Sequence, residues 1–481
     1  HKHDENEYND YIKEVLLPHE NSRLGPGIAI GDINGDKIDD FVVGGAKDQP
    51  TAFYIQKSDG SFYSKSFTFS KEHAKYEDMD MTLEDFDKDG DNDLYIVSGG
   101  NEFEPNTPIL KDRLYINDGN GSFNYNNSSL PDNFSSGMRV SSADFDKDGD
   151  IDLFVGGRVV PGSYPLPAES FLLENISDAN GIKFKNTDES IFSFKEIGLV
   201  TSSVWTDYNN DGWEDLVVVG EWTPIKFYKN MEGKFSEDTS LIDIDSTRGW
   251  WYDVISEDFD NDGDMDLVIG NLGNNYKYQA SGDETFDIFY NDFDKNNSGD
   301  IVLSYYSDGE QYPLRGRQCS SDQIPAIKTK FQDYDAFSIA TLEDVYTEPD
   351  LENSLHYFTK TFSSVYLENT GNSFVMNKLP VLAQLSSINK ILSIDIDKDG
   401  YKDIIVSGNM YNSEVETPRN DGSVGVYLKY TPDSGFESVS TQKSGLFING
   451  DVKDMEFITL NNTDYIISAK NDDLIEFTKI K

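Results

Sequence analysis

A nine-residue aspartate motif recurs seven times in this chain of 481 residues and constrains its fold more than any other feature. The motif reads Asp-x-Asp/Asn-x-Asp/Asn-x-x-x-Asp, and its third copy runs from Asp144 to Asp152. Side-chain oxygens at positions 1, 3, 5 and 9 of a tight loop converge on one point, where carboxylates repel one another unless a cation lies between them. Ligation by oxygen alone favours calcium over zinc or copper. The predicted ligands of up to seven structural calcium ions are Asp32, Asn34, Asp36 and Asp40; Asp85, Asp87, Asp89 and Asp93; Asp144, Asp146, Asp148 and Asp152; Asp207, Asn209, Asp211 and Asp215; Asp258, Asp260, Asp262 and Asp266; Asp292, Asp294, Asn296 and Asp300; and Asp395, Asp397, Asp399 and Asp403.

The EF-hand is the obvious alternative for these loops, because it shares ligand positions 1, 3 and 5. An EF-hand also needs a glutamate at position 12 and a helix on each side. Short β-branched runs such as Leu216 to Val219 follow the loops instead, which predicts that each loop joins two strands. Loops 1, 4 and 6 are the weakest predicted sites, because each has an asparagine in place of a carboxylate. Position 12 is apolar in every copy: Val43, Ile96, Val155, Val218, Ile269, Leu303 and Val406.

The spacing of the loops predicts an all-β protein, with residues 1–481 forming a single β-propeller domain. The first five loops begin 51 to 63 residues apart, which is room for one four-stranded blade each. A second recurring unit, such as Leu114 to Phe123, has an aromatic–aliphatic strand, a glycine-containing turn and a phenylalanine, which indicates a hairpin. The ring has seven blades if loops 5 and 6 share one blade and eight if they do not, and seven is favoured.

Two segments depart from this repeat. Residues 272–362 are predicted to be an irregular insertion within the propeller, with a helical part from Ser321 to Tyr346. At the other end of the chain, the final repeat from Asp451 onward keeps its strand pattern but lacks the ligands and one strand. A strand-like run from Tyr11 to Leu17, within the N-terminal segment 1–20, is predicted to supply that strand and close the ring.

Composition limits the partners and the cellular location. The formal net charge is −48, so the surface stays strongly acidic even with seven divalent ions bound. This excludes nucleic acid and direct contact with anionic lipid, and it favours neutral or cationic partners. No run of about 18 apolar residues is present, so no membrane span is expected. Weak calcium loops fill where calcium is about millimolar, which predicts an exported, extracellular or cell-surface protein whose signal or anchor lies outside this chain.

No recognisable catalytic constellation is found in the sequence. The chain has no Gly-x-Ser-x-Gly elbow, no His-Glu-x-x-His and no phosphate-binding glycine loop. Cys319 stands near Arg315 and Arg317, which would lower the pKa of a nucleophilic thiol, but a structural cysteine is favoured. A non-catalytic binding or scaffold propeller is therefore predicted. The alternative is a calcium-dependent polysaccharide lyase or glycoside hydrolase, because carboxylate pairs are too numerous to single one out.

All five tryptophans lie between Trp205 and Trp251. Clustered aromatic rings either stack on sugars and anchor protein partners or pack between adjacent blades. Trp213 occupies position 7 of loop 4, where the backbone carbonyl is the expected ligand and the ring is free to point outward. Packing is favoured for the group as a whole, and Trp213 and Trp222 are the predicted contacts for a protein partner or a glycan.

Several segments resemble a known family. The loop endings, such as Asp148 to Val155, resemble the FG-GAP/VCBS repeats of integrin α-subunit propellers and of bacterial secreted proteins. The segments Gly270 to Gly273, Tyr312 to Cys319 and Thr341 to Tyr346 resemble large bacterial VCBS-repeat proteins with ASPIC/UnbV domains, although no ASPIC/UnbV-like segment is found here. The resemblance implies a calcium-binding propeller, part of an exported lipoprotein at the outer membrane. It also implies a possible accessory role in a SusC/SusD-type transporter complex.

Overall fold

Each of the first four repeats forms a four-stranded antiparallel sheet, a blade, whose strands pair in chain order. The computed structural model describes residues 1–126 and 128–480. In every one of these blades the aspartate loop joins the first strand to the second, as predicted. The elements are β1 (Ile28–Gly31), β2 (Asp40–Val43), β3 (Ala52–Gln56), β4 (Phe62–Lys65), the short helix α1 (Ser70–His73), β5 (Asp78–Glu84), β6 (Asp93–Ser98), β7 (Arg113–Ile116), β8 (Asn124–Tyr125), β9 (Gly137–Ala143), β10 (Asp152–Gly157), β11 (Phe171–Asn175), β12 (Phe184–Asn186), β13 (Leu199–Thr206), β14 (Asp215–Thr223), β15 (Lys226–Asn230) and β16 (Phe235–Glu237).

The fifth blade is interrupted after its second strand by an insertion that is itself partly a sheet. Four strands of the insertion pair in the order β21-β20-β19-β22, and five short helices pack against them. The elements are β17 (Gly249–Glu257), β18 (Asp266–Asn271), β19 (Phe286–Asn291), β20 (Asp300–Ser307), β21 (Glu310–Pro313), α2 (Arg317–Gln323), α3 (Ala326–Lys330), α4 (Tyr334–Ser338), α5 (Leu342–Val345), α6 (Glu348–Glu352), β22 (Leu355–Thr359), β23 (Val365–Asn369) and β24 (Phe374–Lys378).

Loop 6 lies in this insertion, between β19 and β20, and not in any blade. A ring of seven blades was expected to place loops 5 and 6 in one blade, and that expectation is wrong. The favoured number of seven blades is correct. The helical part expected from Ser321 to Tyr346 is present as several short helices, and the sheet beside it was not predicted. The physical reason is that the aspartate motif specifies a hairpin loop and carries no information about the sheet that the hairpin joins.

The sixth and seventh blades complete a ring. The first strands of successive blades contact one another around the ring, and β29 of the last blade contacts β1 of the first. The remaining elements are β25 (Ile388–Ile394), β26 (Asp403–Gly408), β27 (Val426–Thr431), β28 (Gly435–Val439), α7 (Thr441–Ser444), β29 (Val452–Leu460), β30 (Thr463–Lys470) and β31 (Glu476–Lys479). Short 3₁₀ turns cover Asp10–Ile12, Pro108–Leu110, Ile244–Thr247 and Val381–Gln384. The fold is therefore a seven-bladed β-propeller, and the last blade is one strand short, as predicted.

The predicted closing strand over residues 11–17 is not formed. A 3₁₀ turn occupies Asp10–Ile12, and Leu16 and Leu17 are buried in an apolar cluster with Trp222 and Trp250. Their burial against the insertion, and not a backbone ladder, fixes this segment. The first residues of the chain meet the last blade instead, through an isolated bridge between Lys2 and Leu474.

Adjacent blades are held together by apolar clusters and by a recurring amide clamp. An asparagine stands at the end of the third strand in blades 3 to 5, and directly after it in blade 2, and its side-chain amide donates two hydrogen bonds. Asn230, for example, donates to the carbonyl of Phe145 in the preceding blade's loop (2.8 Å) and to that of Glu214 in its own loop (2.9 Å). The clamp therefore links neighbouring aspartate loops around the ring.

The insertion and the N-terminal segment cover the face of the ring opposite the aspartate loops, because β18 leads into the insertion at the end away from loop 5. β14 extends beyond its blade on this face and pairs with the start of β17, at Glu221 with Trp250. Within the described part of the chain, no helix is long and apolar enough to cross a membrane.

Candidate metal centres

All seven aspartate loops share one hydrogen-bonding scheme, including loop 6 in the insertion. The position-1 carboxylate accepts a hydrogen bond of 2.7–3.1 Å from the backbone N–H of position 6 in each loop. In loop 2, for example, the Asp85 carboxylate accepts from the backbone N–H groups of Asp89 and Gly90, both at 3.0 Å. The backbone therefore orients the first predicted ligand in the same way in each loop.

The backbone of the loops is left-handed at positions 4 and 6. Gly90 has a φ of 95° at position 6 of loop 2, a conformation that favours glycine. Lys37 and Asn297 occupy the same position in loops 1 and 6, and each has a φ of 65°. The absence of glycine at position 6 therefore does not change how these two loops close.

Carboxylates converge in at least four of the loops. Within each set, one oxygen from each of three aspartates lies within 4.8 Å of the others, which is close enough to hold a metal ion. Loop 6 also has three converging carboxylates, although its position 5 is Asn296. These sets are Asp85, Asp87 and Asp89; Asp144, Asp146 and Asp152; Asp258, Asp260 and Asp262; and Asp292, Asp294 and Asp300.

The position-9 aspartate is buried and connects its loop to the third strand of the blade. Asp152 is only 1% exposed, and its carboxylate accepts from the backbone N–H of Asn175 (2.7 Å) and from that of Phe145 (3.3 Å). Burial, with a smaller contribution from the neighbouring Asp146 carboxylate, raises the pKa of Asp152 to about 8. Burial likewise raises the pKa of Asp93, Asp215 and Asp266 to about 7.

In loops 4 and 7, a lysine ammonium lies beside predicted metal ligands. In loop 7, the Lys429 ammonium pairs with Asp397 and lies 2.8 Å from Asp399, so it bridges the position-3 and position-5 carboxylates. In loop 4, the Lys229 ammonium lies 3.2 Å from Asp211, and the Asn209 amide donates to the Asp215 carboxylate. A metal ion in either loop has to displace these groups, which the sequence pattern alone does not indicate.

The two predicted contact tryptophans differ in exposure. Trp213 is half-buried on the loop face, and the Lys147 ammonium lies 4.3 Å from its ring centroid. Trp222 is 1% exposed, and its indole N–H donates to the Tyr164 hydroxyl. The prediction that Trp222 contacts a partner is therefore wrong, because its ring packs between the blades and the insertion.

Cys319 does not have the environment of a nucleophile. Burial, and then a hydrogen bond from the thiol to Glu416 (3.2 Å), raise its pKa to about 11. Arg315 pairs with Glu414, and Arg317 donates to the carbonyl of Phe331, so neither guanidinium is dedicated to the thiol. The structural role favoured for this cysteine agrees with these contacts.

The central channel contains charged residues that the sequence analysis missed. Asp80, Asp253 and Asp454 lie in first strands, and each accepts a hydrogen bond of 2.8–3.0 Å from a backbone N–H of the next blade's first strand. Arg139 pairs with Asp80 and Asp253, and Lys390 pairs with Asp454 (2.8 Å). One part of the channel has a volume of about 240 Å³. These charged groups link the first strands of neighbouring blades around the axis. In the sequence, the feature that could have indicated them is an aspartate inside an otherwise apolar strand.

The pH dependence of stability follows from the raised pKa values of the position-9 carboxyls. A carboxyl whose pKa is raised in the folded state contributes stability below its unfolded pKa of about 4 and loses it as the pH rises through about 7 to 8. We therefore expect the metal-free protein to melt at a higher temperature near pH 5 than near pH 8.5. Melting curves in chelator test this, and Asp152→Asn should flatten the trend. A melting temperature that rises with pH in chelator would contradict it.

The ring of four-stranded sheets and the aspartate loops define the class of this protein as a seven-bladed β-propeller with acidic loops suited to metal binding. The profile of the FG-GAP-like repeat matches residues 32–96, 85–155 and 207–269, so the chain contains FG-GAP-like repeats. The matched stretches contain loops 1 to 5. No curated protein sequence matches the chain.

Matches to solved structures extend over nearly the whole chain. Sqt1 of Saccharomyces cerevisiae has 9% sequence identity and a TM-score of 0.44, and the match covers 96% of this chain and 97% of that one. YCF48 from Cyanidioschyzon merolae has 8% identity and a TM-score of 0.42, with 97% and 98% covered. The biofilm matrix protein Bap1 of V. cholerae has 12% identity and a TM-score of 0.35, with 99% and 89% covered.

Proposed function

We propose that the aspartate loops bind calcium and that the ions stabilise the blades, without a catalytic role. The observation that carries this is the shared geometry of the loops: seven copies orient the position-1 carboxylate in the same way, and in at least four of them three carboxylates converge. Oxygen-only donors and flexible geometry suit calcium. Up to seven ions fit this scheme, and loop 7 is the weakest site because Lys429 already neutralises its carboxylates.

The propeller then acts as a rigid binding or scaffold module for a protein partner or a glycan. Support comes from the ring closure and the amide clamps, which fix the loop face, and from Trp213, whose ring is half-exposed on that face. A surface of formal charge −48 favours neutral or cationic partners. The calcium requirement favours a location outside the cytosol. The resemblance to exported VCBS-repeat lipoproteins supports a cell-surface accessory of a SusC/SusD-type outer-membrane complex.

Binding of the wild-type chain and of a Trp213→Ala variant to a glycan panel and to outer-membrane complexes tests the scaffold role. We expect Trp213→Ala to weaken binding by about 10-fold or more, as for a central aromatic contact. Tyr401→Ala is the matched control, because Tyr401 occupies position 7 of loop 7 and is also half-buried. The same preparations are assayed for cleavage of uronic-acid polysaccharides with and without chelator. Calcium-dependent turnover would contradict the scaffold role and favour a lyase or hydrolase.

A further inference from the structure

A second acidic cluster lies away from the aspartate loops, on the opposite face, where the N-terminal segment meets the second and last blades. It contains His3 and Glu5 of the N-terminal segment, Glu77 just before β5, and Glu102 just after β6. One ligand atom from each of His3, Glu5 and Glu77 lies within 4.8 Å of the others. His3 is fully buried, and Glu77 is 1% exposed.

Several polar atoms of this cluster are buried without a hydrogen-bond partner. They are Oε1 of Glu77, Oε2 of Glu5, both carboxylate oxygens of Glu102 and Nε2 of His3. The other oxygens are held in place: Glu77 Oε2 accepts from the backbone N–H of Lys47 (2.6 Å), and Glu5 Oε1 accepts from the Asn471 amide (2.5 Å). The backbone and the last blade therefore orient two carboxylates whose free oxygens have nothing to bind.

Within residues 1–126 and 128–480, the basic side chains near these carboxylates do not pair with them directly. Among the described residues, no lysine or arginine forms a salt bridge with Glu5, Glu77 or Glu102. The nearby cations are engaged elsewhere: the Lys453 ammonium pairs with Asp451 at 3.0 Å, the Arg23 guanidinium pairs with Glu20 at 3.1 Å, and the Lys47 ammonium lies over the ring of Phe103. Burial of three neighbouring carboxylates without a cation is strongly unfavourable.

We propose that His3, Glu5 and Glu77, with Glu102 adjacent, bind a divalent transition-metal ion of the zinc class. An imidazole nitrogen combined with carboxylates suits such ions, whereas the all-oxygen aspartate loops suit calcium. His3 is fully buried, and its Nε2 has no hydrogen-bond partner. The site is thus chemically distinct from the seven loops.

The position of this site gives the ion a role in closing the ring. His3 and Glu5 come from the N-terminal segment, and both contact the last blade, through the backbone N–H of Asp472 and the Asn471 amide. Glu77 precedes the first strand of the second blade. An ion held by these ligands would tie the N-terminal segment to both blades, in place of the fourth strand that the last blade lacks.

Cobalt(II) binding to the full chain tests the proposal, because tetrahedral cobalt absorbs visible light and substitutes for zinc. Calcium is kept in excess so that the aspartate loops are filled. We expect one cobalt per chain with a visible absorption band, displacement of the cobalt by zinc, and at least 10-fold weaker binding in both His3→Gln and Glu77→Gln. Asp148→Asn, which alters loop 3 only, should bind cobalt as the wild type does.

Three results would overturn the proposal. They are the absence of cobalt binding by the wild type in excess calcium, unchanged binding by His3→Gln, and loss of binding in Asp148→Asn. Absence of cobalt binding would mean that water or protons satisfy the carboxylates of the cluster. Burial raises the pKa of Glu5 and of Glu102 to about 7, which is the direction expected for protonated carboxyls. If Glu77→Gln fails to fold, the result for His3→Gln decides. Glutamine is polar and similar in size to histidine, so that variant is expected to fold.

Discussion

We expect removal of calcium by a chelator to lower the melting temperature of this propeller by roughly 10 °C or more. Each ion that binds the folded loops at about 100 times its Kd contributes about 2.7 kcal/mol. Four or more such ions together contribute on the order of 10 kcal/mol, and unfolding entropy for a chain of this length converts that to about 1 °C per kcal/mol. The loops lose the ions and regain the repulsion between their carboxylates.

The control for this experiment is the addition of calcium, or of magnesium, after the chelator has acted. Calcium should restore the melting temperature, and magnesium should restore less, because it requires near-ideal octahedral geometry and gives up its water reluctantly. A melting temperature that does not respond to chelator would contradict the assignment of calcium to the loops.

Two aspartates of loop 3 are expected to respond differently to substitution. Asp152→Ala should destabilise the protein by about 2–4 kcal/mol without calcium, because it leaves the buried N–H groups of Phe145 and Asn175 without an acceptor. The loss should be larger with calcium, because Asp152 is also one of the three converging carboxylates of loop 3. Asp148→Ala should destabilise mainly when calcium is present, because the Asp148 side chain is exposed and accepts a single backbone hydrogen bond, from Asp150 (2.9 Å). Urea unfolding of both variants with calcium and with chelator measures the two effects.

This pair of variants separates the metal-binding role from the hydrogen-bonding role of the loop. The wild-type chain under the same two conditions is the reference, and Asp178→Ala, in an exposed turn outside the loops, is the control for loss of a surface carboxylate. Equal losses for Asp148→Ala with calcium and with chelator would show that loop 3 binds no ion. Unchanged stability of Asp152→Ala would show that the buried carboxylate does not hold the third strand.

The seven loops and the strands on either side of them were predictable because their signals are local. An apolar residue such as Val155 at position 12 distinguishes a strand from the helix of an EF-hand, and the spacing of the loops gives the length of a blade. Loop 6 shows the limit of this reasoning. Its ligands Asp292 and Asp294 converge as in the blades, but its hairpin pairs with β21 and β22 of the insertion, and such distant pairing leaves no mark in the motif.

The predictions for the N-terminal segment and for Trp222 were wrong for a related reason. Leu16 and Leu17 have the apolar character of a strand, but their partners, Trp222 and Trp250, lie about 200 residues away and form a cluster and not a sheet. An apolar pattern indicates that a residue is buried without indicating which surface covers it. The amide clamps of Asn175 and Asn230 were also missed, although the asparagine that ends each of these third strands was a visible signal.

The number of calcium ions bound per chain is the most direct test of the central claim that the aspartate loops are metal sites. Equilibrium dialysis with radioactive calcium, on chelator-treated protein at neutral pH, measures it for the wild type and for Asp146→Ala, which removes one of the three converging carboxylates of loop 3. The loop geometry predicts at least four ions per wild-type chain and one fewer in the variant. Binding of no calcium, or the same number of ions in both proteins, would contradict the assignment.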